Sequence, residues 1–306
     1  MLKILPLALL ALIITGASIA PAPAAAKSRS CDRTAPKGAD PGSFVRSLRA
    51  GQTGCLRGGV YRASSKGIKF SRPKVTLRSR PGTRATVVGR LWIAKGANGV
   101  TVRGLKLDGT NPKRQASPVV NANNATFRYN DVTNGHTAIC FLLGHDDFGR
   151  ANGTLIRDNR IHDCGRLPAT NHHHGIYVAF ATGTKIVDNR IYRNADRGIQ
   201  LYPDADRTLV AGNVISRNGQ GIIFSGSSKN VSENNLVAGN VIKNSRLRFN
   251  VEWNWRNGNV GAGNLLTQNC IFGGVKDEGN GGIKTPFLGF AAQKNTISEA
   301  RCQRRG

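Results

Sequence analysis

Two short stretches of the sequence, residues 171–177 and 197–206, carry histidine, tyrosine and arginine side chains that could transfer protons. Arginine binds carboxylates through two parallel hydrogen bonds, and imidazole and phenol groups can remove or donate a proton. His174, Tyr177 and Arg197 are therefore predicted to be catalytic, acting on a substrate that carries a carboxylate. The alternative is that the histidines are solvated and the tyrosines are surface residues without a role in catalysis.

The same stretches contain further polar groups that could bind a substrate or a metal ion. The residues predicted to contact substrate are His172, Gln200, Tyr202 and Glu252. Asp204 and Asp206 offer the oxygen ligands that calcium prefers, so they are a candidate calcium site. A second interpretation places zinc between His172 and His174, with one of these aspartates as third ligand. The pattern itself requires no cofactor.

These residues can meet only if distant segments lie side by side, and a repeat in the sequence predicts that they do. A strand, a polar turn and a second short strand recur in VTVRGLKL (100–107), TLIRDNRI (154–161) and TLVAGNVI (208–215). An asparagine recurs with this phrase, at Asn130, Asn159, Asn189, Asn213, Asn240 and Asn264. Asparagine tolerates a left-handed backbone and can stack into hydrogen-bonded ladders, so this column is predicted to occupy the turns.

A second column predicts the register of the strands. Gly175, Gly198 and Gly221 are spaced by 23 residues, and each precedes a run of apolar residues. Connections this short leave no room for a helical crossover, so parallel pairing requires a coil of strands and tight turns. The chain is predicted to be all-β, a single-domain right-handed parallel β-helix with an N-terminal amphipathic cap.

Alternation of apolar and polar residues predicts which side chains face the interior. The inward set is Ile176, Val178, Ile199, Leu201, Ile222 and Phe224. Tyr177 and Gln200 should then project outward from neighbouring strands, about 4.8 Å apart. By the same alternation His174 and Arg197 would point inward, but they precede Gly175 and Gly198, where a turn could rotate them outward.

The first 26 residues have the pattern of a secretory signal, with Lys3 before an apolar run and alanines at 24–26. Residues 27–306 are predicted to form the β-helix domain, with a cap at about 41–50 and coils over about 51–298. The mature protein is therefore expected to be secreted, with no segment that crosses a membrane.

Cysteine content and charge agree with an extracellular location. Sequential pairing predicts the disulfides Cys31–Cys55, Cys140–Cys164 and Cys270–Cys302, although six cysteines allow fifteen pairings. Lysine and arginine number 44 against 17 aspartate and glutamate, and the net charge of +27 attracts polyanions. Nucleic acid is not the favoured partner, because basic and aromatic residues do not alternate along one face.

The sequence resembles the superfamily of right-handed parallel β-helix proteins that includes pectate lyases, alginate and chondroitin lyases and mannuronan epimerases. The resemblance is carried by GQTGCLRGGVYRA (51–63), NGVTVRGLKLDG (98–109) and the later coils. It implies a carbohydrate ligand in a groove on the outer face of one parallel sheet. YPDAD (202–206) is loosely similar to an acidic-histidine motif of mannuronan epimerases, but Ala205 stands where that motif has histidine.

These observations predict a secreted, monomeric protein that acts on acidic polysaccharide. The first hypothesis is a lyase of a uronate-containing polymer. A second is a non-catalytic β-helix that binds cell-wall or matrix polyanions, as an adhesion module would. A glycoside hydrolase, which needs two carboxylates across the groove, and a uronate epimerase are further alternatives.

Overall fold

The structure is a computed structural model that describes residues 30–253, 261–284 and 290–303, and the predicted signal segment at 1–26 lies outside them. From Cys31 onward, the described residues form short β-strands that pair in parallel into three sheets. Two short helices accompany them, α1 (Pro41–Ser47) and α2 (Glu299–Gln303). The predicted all-β parallel β-helix is confirmed.

Successive strands of the chain pass from one sheet to the next, so each coil adds a strand to each sheet. The first sheet contains, in spatial order, β1 (Arg33–Ala35), β2 (Thr53–Leu56), β5 (Thr76–Ser79), β8 (Thr101–Arg103), β11 (Thr126–Arg128), β14 (Leu155–Arg157), β17 (Lys185–Val187), β20 (Leu209–Ala211), β23 (Leu236–Ala238), β26 (Asn264–Thr267) and β29 (Phe290–Gln293). The second sheet contains β4 (Ile68–Phe70), β7 (Leu91–Ile93), β10 (Val119–Val120), β13 (Phe141–Leu143), β16 (Ile176–Thr182), β19 (Arg197–Asp206), β22 (Gln220–Phe224), β25 (Val251–Trp253) and β28 (Ile283–Lys284). The third sheet contains β3 (Gly59–Arg62), β6 (Ala85–Val88), β9 (Leu105–Asp108), β12 (Asp131–Thr133), β15 (Arg160–His162), β18 (Arg190–Tyr192), β21 (Val214–Ser216), β24 (Val241–Ser245) and β27 (Cys270–Gly274).

The predicted glycine column is present at the start of the second sheet in three successive coils. A Cβ atom added to Gly175 would lie 2.9 Å from the carbonyl oxygen of Gly198, and one added to Gly198 would lie 3.0 Å from that of Gly221. Only glycine allows adjacent coils to approach this closely. The column therefore aligns β16, β19 and β22, with Tyr177 paired to Gln200 as predicted.

The core lies inside the coils and is made of the inward-facing side chains of all three sheets. The six residues predicted to face inward on β16, β19 and β22 are fully buried. Burying an aliphatic side chain of this kind stabilises a fold by about 1.5–3 kcal/mol, so their alternation determines which face of the second sheet remains free for a ligand.

The asparagine column forms a buried ladder, but its last predicted member was wrong. Side-chain amides hydrogen-bond from coil to coil through Asn130, Asn159, Asn189, Asn213, Asn240, Asn269 and Asn295 at 2.9–3.0 Å. Asn264 belongs to a separate ladder, in which Asn235 donates to its side chain. The left-handed backbone also falls one residue earlier than expected, for example at Asp158 and Asp188, each with φ of +56°.

Disulfides and helices fasten the coils. The cysteines pair sequentially, with Cα–Cα distances of 5.6 Å in all three bridges. At the N-terminal end, α1 buries Val45, and Leu48 directly follows it into the core, within the segment predicted as a cap. In the described ranges, no helix is both long and apolar enough to cross a membrane.

Candidate functional site

A cavity of about 610 Å³ opens on the outer face of the second sheet, across β16, β19 and β22. Six of the residues predicted from sequence line it: His172, His174, Tyr177, Arg197, Gln200 and Tyr202. The parallel register accounts for this meeting, because Tyr177 and Gln200 are paired residues of neighbouring strands. We call this cavity, together with its lining residues, the groove.

His174 and Tyr177 are in contact at the floor of the groove. Their rings meet edge to face with centroids 5.5 Å apart, and the Tyr177 ring stacks beside Tyr202 at 6.4 Å. His174 is 1% exposed, and burial together with the charge of Arg197 lowers its pKa well below 6.5. Burial and the neighbouring Tyr202 raise the pKa of Tyr177. At neutral pH the groove therefore presents a neutral imidazole and a protonated phenol.

Arg197 is held rigidly by the residues around it. Its Nη1 donates to the carbonyl oxygen of Asn171 and to Oε1 of Gln200, both at 2.8 Å, and its Nε donates to Oε1 of Gln220 at 3.1 Å. Burial and nearby Arg248 lower the pKa of Arg197 to about 10, so it remains charged at neutral pH. The three groups that accept these hydrogen bonds are neutral, so none of them compensates the positive charge.

Glu252 stands on the same column of outward positions but does not line the groove. It pairs with Ile223 and is 4% exposed. Gln220 donates to one of its carboxylate oxygens at 2.5 Å, and Lys284 donates to the other at 3.1 Å. Its two oxygens are thus engaged by Gln220, which in turn orients Arg197, and by Lys284.

The structure does not place Asp204 and Asp206 in the groove. β19 has an extra residue relative to β16 after Leu201, so that Asp204 pairs with Phe180. Arg150 donates to both oxygens of Asp204, at 2.6 and 3.1 Å. Burial and Asp204 raise the pKa of Asp206.

The predicted zinc site does not form in the groove, and the predicted calcium ligands, Asp204 and Asp206, lie outside it. Calcium prefers carboxylate and carbonyl oxygen ligands, and the described lining of the groove includes two guanidinium groups and no carboxylate. The zinc interpretation needed Asp204 or Asp206 beside His172 and His174, and these aspartates are absent from that lining. In the described part of the chain, His145, Asp146 and Asp147 form the group whose donor atoms converge, but they lie on an exposed turn after β13.

Sequence reasoning did not identify Arg248 or the serines that complete the wall. Arg248 lines the groove from the segment between β24 and β25, and Ser225, Ser227 and Ser228 line it from the segment after β22. Both segments lie outside the repeated phrase. The positive charge of Arg248 could be counted from composition but not placed.

A second group of ionisable residues lies on the third sheet and is called the His162 cluster here. His162 contacts Asp131 through Nε2 and Asp163 through Nδ1, both at 2.7 Å. Its ring stacks on Tyr192 with centroids 5.0 Å apart, and Arg193 donates twice to Asp163. Burial opposes protonation of His162, but its hydrogen bonds to the two aspartates raise its pKa.

Comparison with known proteins gives a family and a fold. The family model described as a right handed beta helix region matches residues 92–272. No curated protein matches the chain.

Three solved structures are similar in fold. The A-module of the Azotobacter vinelandii mannuronan C-5 epimerase AlgE4 is 17% identical, with a TM-score of 0.59 over 87% of this chain and 76% of that one. The pectate lyase Pel9A is 13% identical, with a TM-score of 0.59 over 88% and 80%. An alginate lyase from Paenibacillus is 17% identical, with a TM-score of 0.59 over 87% and 96%. At identities this low, the similarity of the three structures to this chain shows a shared fold and nothing further.

Proposed function

The chain belongs to the right-handed β-helix family, and from that premise we propose that it is a secreted lyase of a uronate-containing polysaccharide. Similar solved structures include a pectate lyase, an alginate lyase and a mannuronan epimerase, which supports an acidic polysaccharide as substrate. Three disulfides are consistent with an extracellular location.

One observation carries the proposal. The groove brings two guanidinium groups together with a neutral imidazole and a protonated phenol, and no carboxylate is found on its described wall. The guanidinium groups suit a carboxylated sugar, and the two neutral groups suit removal and delivery of a proton. Environments that push the pKa values of two groups apart commonly distinguish the base from the acid.

The proposed reaction is an elimination. Arg197 and Arg248 bind the sugar carboxylate and stabilise the negative charge that develops beside it. His174 accepts the proton from the carbon next to the carboxylate, and that electron pair forms a double bond to the neighbouring ring carbon. The bond from that carbon to the glycosidic oxygen breaks, and Tyr177 donates its proton to the leaving oxygen. Gln200 and Tyr202 line the groove beside these groups and would position the sugar, with His172 at its rim.

Glycoside hydrolysis is less favoured because it uses two carboxyl groups across the scissile bond. Two of the acids that the sequence offered for this role are engaged elsewhere, Glu252 with Gln220 and Lys284, and Asp204 with Arg150. The donor set of the groove also does not suit calcium, so no step is assigned to a metal.

The decisive experiment is an absorbance assay for unsaturated uronates. Purified mature protein is incubated with polygalacturonate, polymannuronate, polyguluronate, hyaluronan and chondroitin, with and without chelator. The expected result is a rise in ultraviolet absorbance with one of these polymers that chelator does not abolish.

Other products would replace the proposal with a named alternative. Reducing ends without absorbance would indicate a hydrolase, and a change of sugar configuration without chain cleavage would indicate an epimerase. Salt-sensitive binding with no product from any polymer would indicate a polyanion-binding or adhesion module.

A further inference from the structure

A second depression lies on the outer face of the same sheet, around β4 and β7, and has a cavity of about 360 Å³. Five cations line it: Arg62, Lys66, Lys69, Arg90 and Lys113. No acidic residue is found in its described lining, and none of the five forms an ion pair with an acid of the described chain. We call this depression the basic pocket.

Trp92 organises the cations of the basic pocket. The Nζ of Lys69 lies 4.6 Å from the centroid of the Trp92 ring, and the guanidinium carbon of Arg90 lies 5.5 Å from it. Trp92 is fixed in turn by the hydrogen bond from its Nε1 to Oδ1 of Asn121 at 2.8 Å. Attraction to the ring keeps both positive charges beside one aromatic surface.

Arg90 is the feature least explained by stability alone. Its side chain is partly buried, and burial lowers its pKa. Its Nε is buried and has no hydrogen-bond partner among the residues that the structure describes. A charged group with an unmatched buried donor costs stability, and an anion bound in this pocket would supply the partner that Arg90 lacks.

The position of the basic pocket relates it to the groove. The outward column of the second sheet runs from Tyr177 through Leu142 and Val119 to Trp92, one residue on each successive strand. Three strand spacings separate the ends, or about 14 Å. The loops that precede β10 and β16 contribute Lys113 and His172 to the two sites. Both sites therefore include residues at the N-terminal ends of the strands of this sheet.

We propose that the basic pocket binds a second carboxylated sugar of the polymer chain whose cleaved unit lies in the groove. This inference rests on the proposed function, since it requires an acidic polysaccharide along the β-helix axis. Lys66, Lys69 and Arg90 bind the sugar carboxylate, and Trp92 holds Lys69 and Arg90 in place. The consequence is that affinity depends on chain length, because only a chain of several residues can span both sites.

The test compares a trisaccharide and an octasaccharide, each of galacturonate and of mannuronate, by calorimetry. The parent carries His174→Gln and Tyr177→Phe so that the probes remain intact. Onto it is placed Lys66→Gln with Lys69→Gln, two exposed residues of the pocket. The matched control is Lys106→Gln with Lys185→Gln, two exposed lysines on the other sheets that change the net charge equally.

We expect the pocket pair to weaken octasaccharide binding at least about tenfold, the effect of one lost charge-assisted contact. Trisaccharide binding should fall much less, and the control pair should change either affinity by less than about twofold. Arg90→Gln should show the same length dependence. Its melting temperature is measured alongside, and the exposed lysine pair keeps the test valid if Arg90→Gln unfolds.

Three results would overturn the proposal for the basic pocket. The pocket pair and the control pair could lose equal affinity, the loss of affinity could be independent of probe length, or the parent could bind none of the probes. If the pocket pair weakens the binding of a single-stranded oligonucleotide more than that of the octasaccharide, the proposal would also be overturned, in favour of nucleic acid as the ligand. The assay for unsaturated uronates separates the two proposals. If no product forms but the loss of affinity depends on probe length, only the lyase proposal is refuted. If product forms but the pocket and control pairs lose equal affinity, only the proposal for the basic pocket is refuted.

Discussion

The groove and the His162 cluster use the same side-chain types on two sheets of the same coils, yet they are opposite in character. In the cluster, Asp131 and Asp163 bind His162 directly and raise its pKa. In the groove, burial and the neighbouring charge of Arg197 lower the pKa of His174. The difference teaches that the placement of carboxylates, rather than the presence of histidine, tyrosine and arginine, decides which group is structural and which remains available to a ligand.

The largest expected effect comes from exchanging one tyrosine on each side of this comparison. Tyr177→Phe should lower kcat by about 10²- to 10⁴-fold, the usual contribution of a positioned general acid, with little change in melting temperature. Tyr192→Phe should leave kcat unchanged, because Tyr192 stacks on His162 on the third sheet. Steady-state rates on the identified polymer, with thermal melts, measure both; equal losses would show that the comparison is wrong.

The next effect concerns the two arginines. Arg197→Lys should lower kcat/KM by about 10- to 100-fold, because lysine cannot reproduce a planar guanidinium held by three acceptors. Arg193→Lys should leave kcat/KM unaltered and cost at most about 1 kcal/mol of stability, since its ion pair with Asp163 is exposed. Kinetics and denaturant unfolding of the pair provide the measurement. An Arg197→Lys enzyme with wild-type kcat/KM would remove Arg197 from substrate binding.

The pH dependence of activity follows from the groove alone. Because the pKa of His174 is lowered, the base should already be deprotonated below pH 6.5, and activity should reach its plateau on the acidic side of neutrality. The alkaline limb should have its midpoint near pH 10, where half of the Arg197 side chains have lost their charge. A profile of kcat/KM against pH tests this. An acidic limb at or above pH 6.5 would contradict His174 as the base.

The smallest effect is on stability, and its pH window differs. The pKa of His162 is raised on folding, so its contribution is fully present below its unfolded value of about 6.5 and is lost as pH rises through the folded value. Burial opposes ionisation of Asp163, but its hydrogen bonds with Arg193 and His162 lower its pKa to about 2 on folding. Its contribution to stability is therefore present above pH 3.8 and is lost toward pH 2.

His162→Gln should therefore cost about 1 kcal/mol of unfolding free energy near pH 5 and less near pH 9. Urea unfolding of wild type and variant at both pH values measures this difference. A cost that is equal at pH 5 and pH 9 would show that the charge of His162 does not contribute.

The sequence predicted the fold and the centre of the groove because both depend on regular spacing. Equal intervals of 23 residues aligned Gly175, Gly198 and Gly221, and this alignment placed Tyr177 beside Gln200. Alternation then assigned faces correctly, since one face of every strand must be buried.

The failures occur where the spacing becomes irregular. The extra residue in β19 shifts Asp204 against Phe180, and no composition signal marks that bulge. Arg248 belongs to the connection between β24 and β25, and the corresponding connections in other coils differ in length. Two asparagine ladders run five residues apart late in the chain, so the spacing alone does not distinguish Asn264 from Asn269. Interactions between charged residues, such as Arg150 with Asp204, also could not be read from periodicity.

The asparagine ladder sets a rule for how this protein can change in length. Each amide in the column joins the next coil, as Asn159 joins Asn189 and Asn189 joins Asn213. Removal of residues 189–212 would bring Asn213 directly onto Asn159 and leave the ladder unbroken, whereas removal of half that segment would misalign every later rung. The molecule can therefore grow or shrink only by whole turns, while insertions in the loops between strands alter the ligand surface without disturbing the count.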